Sequence, residues 1–185
     1  LGFQIKQYPA GKYASKRGYK TLIKPSQESK KRHLARLKEI VANHKAAPQA
    51  ALIARLNPVI VGWCRYFSSV VSKATFAAMD AQLFWHLFRW AKSRHPNLNT
   101  HDSVSRYWRV NQGGGWLFAT TDQLRLRRHN ETPIRRHVKV RATRSPFDGD
   151  WVYWGTRLSR YPGHAPIKAK LLKHQQAKCA NCRLY

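Results

Sequence analysis

Through the first half of the chain apolar residues recur at helical spacing; in the second half they break into short runs. Leu34, Leu37, Ile40 and Val41 form one stripe of a helix expected to open at Pro25-Ser26 and to reach about His44. Lys31, Lys38 and Lys45 are seven apart and so make a row beside that stripe, with Arg32 and Arg36 on its far side. A second helix is expected from Pro48 to Leu56. Asn57 is then a good N-cap and Pro58 suits a first helical position, where no N–H is needed, so the pair predicts a restart. From Pro58 to about Val71, the side chains of Val59, Ile60, Trp63, Phe67 and Val70 line one side. Gly62 costs about 1 kcal/mol relative to Ala inside a helix, which implies that a backbone, a bulky ring or a ligand comes close to it. Ser72 is the expected cap of a third helix running to about Arg94, and His95-Pro96-Asn97 ends it. Phe76, Met79, Leu83, Trp85, Leu87, Phe88 and Trp90 make this helix apolar on more than one face, as suits a central position.

Residues 1–23 alternate loosely around Gly11 and Gly18 and carry Lys6, Lys12, Lys16, Arg17 and Lys20, the pattern of a basic β-hairpin or extended arm. Leu1 to Ile5 already reads as the inside of a strand, so a longer polypeptide is expected. Asp102 to Arg109 predicts a short helix, Gly113-Gly114-Gly115 a break, and Trp116-Leu117-Phe118 a strand. Val138 and Val140 alternate with Lys139 and Arg141, which predicts a strand with one wet basic face. Ser145 to Gly149 reads as a turn, Trp151 to Trp154 as an apolar anchor, and Pro166 as the start of a last helix reaching Gln176. The expected fold class is therefore mainly α. It comprises a helical bundle with an N-terminal β-hairpin or strand and a small basic α+β region.

Charge narrows the partner. Among 185 residues, 35 Lys and Arg stand against 8 Asp and Glu, a formal charge of +27. A folded body with that excess attracts polyanions, nucleic acid first and an anionic membrane surface second. Seven Trp and 12% aromatic residues exclude a merely disordered basic tail. Arg65, Lys73, Asp80, Arg89 and Lys92 interrupt the most apolar region, so no membrane-spanning run is expected, and the start lacks the pattern of a signal peptide. Three Cys are too few for a disulfide framework and fit a reduced, intracellular setting.

Candidate chemistry is sparse. No Gly-x-Ser-x-Gly elbow, His-Glu-x-x-His pair or Walker-type glycine loop occurs, and the acids and histidines are scattered, so no catalytic residue is assigned. Asp148 and Asp150 fit the capping of a turn better than a metal site. Cys179 and Cys182, two residues apart, can present two thiolates to one zinc ion, but structural zinc takes four ligands and His174 has an atypical spacing. Between Arg125 and Arg144 the chain carries Arg125, Arg127, Arg128, Arg135, Arg136, Lys139, Arg141 and Arg144 against Glu131 alone. Arg predominates there, and its planar fork suits phosphate oxygens and guanine edges.

Several segments in order resemble the C-terminal part of a bacterial group II intron-encoded protein, a reverse transcriptase and maturase. LNPVIVGWCRYF, VSKATFAAMD, LFRWAKSRHPN and RYW look like its maturase-specific region, and TLIKPSQESKKRHLARLKEI is similar to the start of the thumb. LGFQIKQYPAGKY looks like the end of the palm, and AKLLKHQQAKCANCRLY like the first part of an H-N-H endonuclease module. The resemblance implies a palm end at 1–23, thumb and maturase-specific domain at 24–121, a basic DNA-binding region at 122–162 and a truncated endonuclease module at 163–185. The Tyr-x-Asp-Asp motif, the second Cys pair and the His-Asn-His residues are absent from this sequence. Polymerase or nuclease activity, and the magnesium that serves both, would belong to other parts of a parent polypeptide.

The implied function is binding of intron RNA to assist splicing and of target DNA for intron mobility, in the bacterial cytoplasm. Lys24, Lys30, Lys31, Arg32, Arg36 and Lys38 are the expected RNA-backbone contacts of the thumb. Arg65, Tyr66 and Lys73 are expected on the maturase surface, Tyr66 stacking on an unpaired base. Gly62 and Trp63 would shape that surface. Arg125, Arg127, Arg128, Arg135, Arg136 and Arg141 would meet DNA, and Cys179 with Cys182 would bind zinc if the missing ligands are present. Two alternatives stand beside this reading: a DNA-directed zinc nuclease of the H-N-H type, and a structural RNA binder of ribosomal type.

Overall fold

The computed structural model describes residues 2–11, 18–110, 115–136, 140–141, 143–145, 147–161, 164–176 and 178–184. The first element is a hairpin in which β1 (Phe3–Pro9) pairs antiparallel with β2 (Tyr19–Pro25), Phe3 opposite Pro25 and Pro9 opposite Tyr19. Its base is tied to the helices. Gly2, at φ +73°, accepts from Ser26 N–H at 2.8 Å, and a Cβ there would sit 3.4 Å from the Ser29 Cβ. The Phe3 ring packs on Tyr66 and Phe67, with centroids 5.2 and 5.1 Å away.

Ser26 does cap α1 (Gln27–Asn43): its Oγ accepts from Ser29 N–H at 3.1 Å. The helix buries Ser29, His33, Leu37, Ile40 and Val41, a stripe at spacings of three and four that extends the expected one by a serine and a histidine; Leu34 lies at its half-buried edge.

The restart expected at Asn57-Pro58 does not occur. One continuous helix, α2 (Gln49–Phe67), runs through Pro58. Asn57 cannot cap because its side chain is engaged elsewhere, donating to Arg125 O at 3.1 Å and accepting from Arg127 N–H at 2.8 Å. Pro58 is tolerated because it and Ala54, whose carbonyl loses its partner, are exposed, so solvent can satisfy that carbonyl. No backbone or ring among the described residues fills the place expected beside Gly62, which is exposed with nothing among them within 4 Å of where its Cβ would be, so of that expectation the ligand remains.

Ser72 precedes α3 (Lys73–Arg94) without capping it; its Oγ donates instead to Phe67 O at 2.7 Å and ties off the end of α2. The central position of α3 holds, since Phe76, Met79, Leu83, Leu87, Trp90 and Ala91 are buried while Trp85 stays 58% exposed. Asn99 caps α4 (Thr100–Tyr107), which ends two residues before the expected Arg109. Trp108 has left the helix to open β3 (Trp108–Val110), which pairs antiparallel with β4 (Trp116–Phe118), Trp108 opposite Phe118. The expected break at Gly113-Gly114 lies outside the described residues.

The core joins Leu37 and Ile40 of α1, Leu52, Leu56, Ile60 and Phe67 of α2, and Phe76, Leu83, Leu87 and Trp90 of α3 to Tyr107, Trp108, Phe118 and Leu126. Each such side chain contributes about 1.5–3 kcal/mol by leaving water. The mainly α class with an N-terminal hairpin is what the chain adopts: among the described residues there are six α-helices and two small antiparallel strand pairs. No helix among them is long and apolar enough to cross a membrane.

The chain divides into two compact units, Leu1–Ile134 and Arg135–Tyr185. In the second, Trp151 to Trp154 is helical, opening α5 (Trp151–Ser159), and Pro166 opens α6 (Pro166–His174) as expected. Asp150 caps α5 by accepting from Tyr153 N–H at 2.9 Å, the capping role its position suggested. Of the strand expected around Val138 to Arg141, Val138 and Lys139 lie outside the described residues and Val140 and Arg141 are irregular.

Candidate nucleic-acid interface

Eight acids cannot neutralise 35 cations, so pairing decides which cations stay available. On α1, Arg32 pairs with Glu28 at 3.9 Å and Arg36 with Glu39 at 2.9 Å. Both pairs are exposed and worth little. Lys31 and Lys38 are exposed and have no carboxylate partner among the described residues. Lys30 is half-buried, and Lys24 lies 4.1 Å from the centroid of the Tyr8 ring on the hairpin. The charge of Lys38 is felt on α3. His86 has a pKa below its ordinary value, first through desolvation and then through the charges of Arg89 and Lys38, which therefore share one neighbourhood.

Arg65 and Tyr66 are exposed near the end of α2, and Tyr66 keeps half its surface open although it stacks on Phe3. Lys73 serves the fold: its Nζ donates to the carbonyls of Asn130 and Thr132. Trp63 is half-buried and lies flat on His33, rings 4.4 Å apart and 8° from parallel.

That histidine belongs to a buried chain that local patterns did not signal, because its members lie far apart in sequence. Asp80 Oδ1 accepts from both the backbone N–H of His129 at 2.8 Å and its Nδ1 at 2.7 Å, and Asp80 Oδ2 accepts from Asn130 N–H at 2.9 Å. The Nε2 atoms of His129 and His33 meet at 2.9 Å. Desolvation by itself would raise the Asp80 carboxyl, but the bonds from His129 and Asn130 and the His129 charge hold it below the usual carboxylate range. His33 is pushed down to about 3, by desolvation first and then by His129. A proton on both facing Nε2 atoms would set two N–H groups head to head, a second reason for His33 to stay neutral. Beside it, burial pushes the Cys64 thiol up to about 12 and leaves it inert. The assembly reads as a clamp: α1, α2 and α3 together hold the 3-10 turn His129–Glu131 and the residues before it.

The clamp decides where the arginine-rich stretch goes. Arg125, Arg127 and Arg128 are fixed on the first unit, Arg125 pairing with Glu131 at 2.9 Å while Arg127 and Arg128 are exposed. Arg135 and Arg136, also exposed, belong to the second unit. There Arg141 shares a cleft of about 320 Å³ with Arg144, Tyr153, Arg157 and Arg160. Positions 153, 156 and 157 fall on one face of α5 and Arg160 follows at its C-cap, so helical spacing assembles half of that cleft. Arg144 is paired with Asp150 at 2.7 Å, whereas the buried Nη1 of Arg157 has no acceptor among the described residues.

Cys179 and Cys182 are exposed free thiols. The pKa of Cys179 lies below its ordinary value, first through the backbone N–H of Cys182 and then through that of Asn181 and the Cys182 side chain. Two thiolates are half of a tetrahedral set, and no third His, Cys, Asp or Glu joins them among the described residues.

A helical unit with unneutralised lysines and arginines beside exposed aromatic rings suits a polyanion with accessible bases. Residues 30–108 match the family model of the group II intron maturase-specific domain. The match begins within α1, takes in α2, α3 and α4 and ends at the first residue of β3. No curated protein matches the chain.

Proposed function

We propose that this chain is the nucleic-acid-binding part of a group II intron reverse transcriptase and maturase, acting in the bacterial cytoplasm. The observation that carries the reading is that the matched region coincides with a helical bundle whose α1 displays Lys31 and Lys38 without acidic partners among the described residues. A folded ribozyme is a dense polyanion, and a stiff basic surface can hold distant phosphates together while RNA-bound metal ions do the chemistry. Lys24, Lys30, Lys31, Arg32, Arg36 and Lys38 would contact the backbone, and Arg65 and Tyr66 an unpaired region, while Lys73 would act by bracing the surface. Arg135, Arg136 and Arg141, the last within its arginine-lined cleft, would contact target DNA together with Arg125, Arg127 and Arg128. Cys179 and Cys182 would give zinc two of its ligands, the others coming from outside the described residues.

The test compares affinity of the 185-residue chain for intron RNA and for random RNA of equal length across a salt series. Intron RNA should bind more tightly, and Lys31→Ala with Lys38→Ala should reduce the salt slope by about two. Equal affinity for both RNAs would favour a structural RNA binder of ribosomal type. Tight DNA binding that requires zinc, without RNA preference, would favour the nuclease reading.

A further inference from the structure

Two clefts share one alanine on the exposed face of α3. The first, about 290 Å³, is lined by Ala77, Ala81, Phe84, Trp116, Arg127 and Arg128 among others. The second is lined by Ala78, Ala81, Gln82, Trp85, His86 and Arg89. Trp116 is 50% and Trp85 58% exposed, each beside at least one arginine. Along the same face Ala74, Ala77, Ala78 and Ala81 are all exposed, an uncharged strip on a protein of formal charge +27. Asp80 also lines the first cleft, but both its oxygens already accept hydrogen bonds from His129 and Asn130.

We infer that this face is a track for an unpaired RNA strand, with one base in each cleft, stacked on Trp116 and on Trp85. The inference rests on the RNA-binding reading above and deepens it. Small side chains let the sugar–phosphate chain lie close to the helix, and Ala81 and Trp85 are one turn apart, about 6 Å. Arg127 and Arg128 meet phosphates at one end, and Arg89 at the other. Arg127 and Arg128 would thus meet an RNA strand on this track in addition to the DNA contact given them above. A duplex cannot use the track, because its bases are stacked inward and only splayed bases can enter the clefts. The rim of cations selects nucleic acid over an apolar protein partner.

The probes are a short labelled oligouridine and an RNA duplex of equal length, titrated against the whole chain with anisotropy as the readout. Trp85→Ala and Trp116→Ala should each weaken oligouridine binding about tenfold and duplex binding less than about twofold. Ala81→Gln, a surface change that leaves the core intact, should weaken oligouridine binding as well and guards against loss through misfolding. Unchanged oligouridine binding in these three variants, or parallel loss for the duplex, overturns the track. If the chain shows no preference for intron RNA yet the tryptophan variants lose oligouridine, the intron reading falls and the track stands.

Discussion

Between about pH 6.5 and pH 3 the unfolded chain takes a proton on His33 that the folded protein refuses. Stability from this group is therefore complete above the ordinary histidine value and is lost as the pH falls toward the folded one. From pH 7 to about pH 5 the loss should be about 2 kcal/mol. Asp80 acts in the same direction at lower pH, since its carboxyl lies below its ordinary value in the folded state. Denaturant melts at the two pH values should show the loss in the wild type and a smaller one in His33→Gln, whose amide can still donate to His129. Nothing in the sequence near His33, Asp80 or His129 announces this chain, because a buried hydrogen bond between residues 96 apart leaves no local period. Lys73 is a related case: its residue type suits a phosphate, and only the carbonyls of Asn130 and Thr132 show where its charge is used.

At the scale of elements, local rules succeeded where a local signal had no rival. Ser26 followed by a helical stripe gave α1 its start, and Pro166 gave α6 its first turn. Asn57-Pro58 misled because the signal for a helix start was real but the asparagine was recruited by a segment about seventy residues later. Helical spacing alone keeps Trp108 in the helix of Asp102 to Arg109, because the pairing that draws it into β3 depends on Phe118, ten residues later. A proline inside a helix loses a bond even on an exposed face, so Pro58→Ala should stabilise the protein by about 1–3 kcal/mol. A thermal melt measures this, and a lower Tm in the variant would mean that the ring makes a contact the helix needs. Helical periodicity puts both Trp85 and Trp90 on an apolar helix without saying which side is covered, and only Trp90 is buried.

For the molecule as a whole, net charge alone narrows the partner to a polyanion, whereas the clamp on residues 125–130 could not be read from composition. The matched domain ends at residue 108, yet α1, α2 and α3 each commit a polar side chain to the segment from Arg125 to Asn130. Asp80→Ala would strip the buried His129 of its carboxylate and should cost about 3–5 kcal/mol, read as a lower denaturation midpoint. The span of these bonds also orders events during synthesis. Asn57 waits for a residue made 70 positions later, and His33 for one made 96 positions later. As the nascent chain leaves the ribosome, the earliest helix stays unlatched until the last turn of its own unit has emerged.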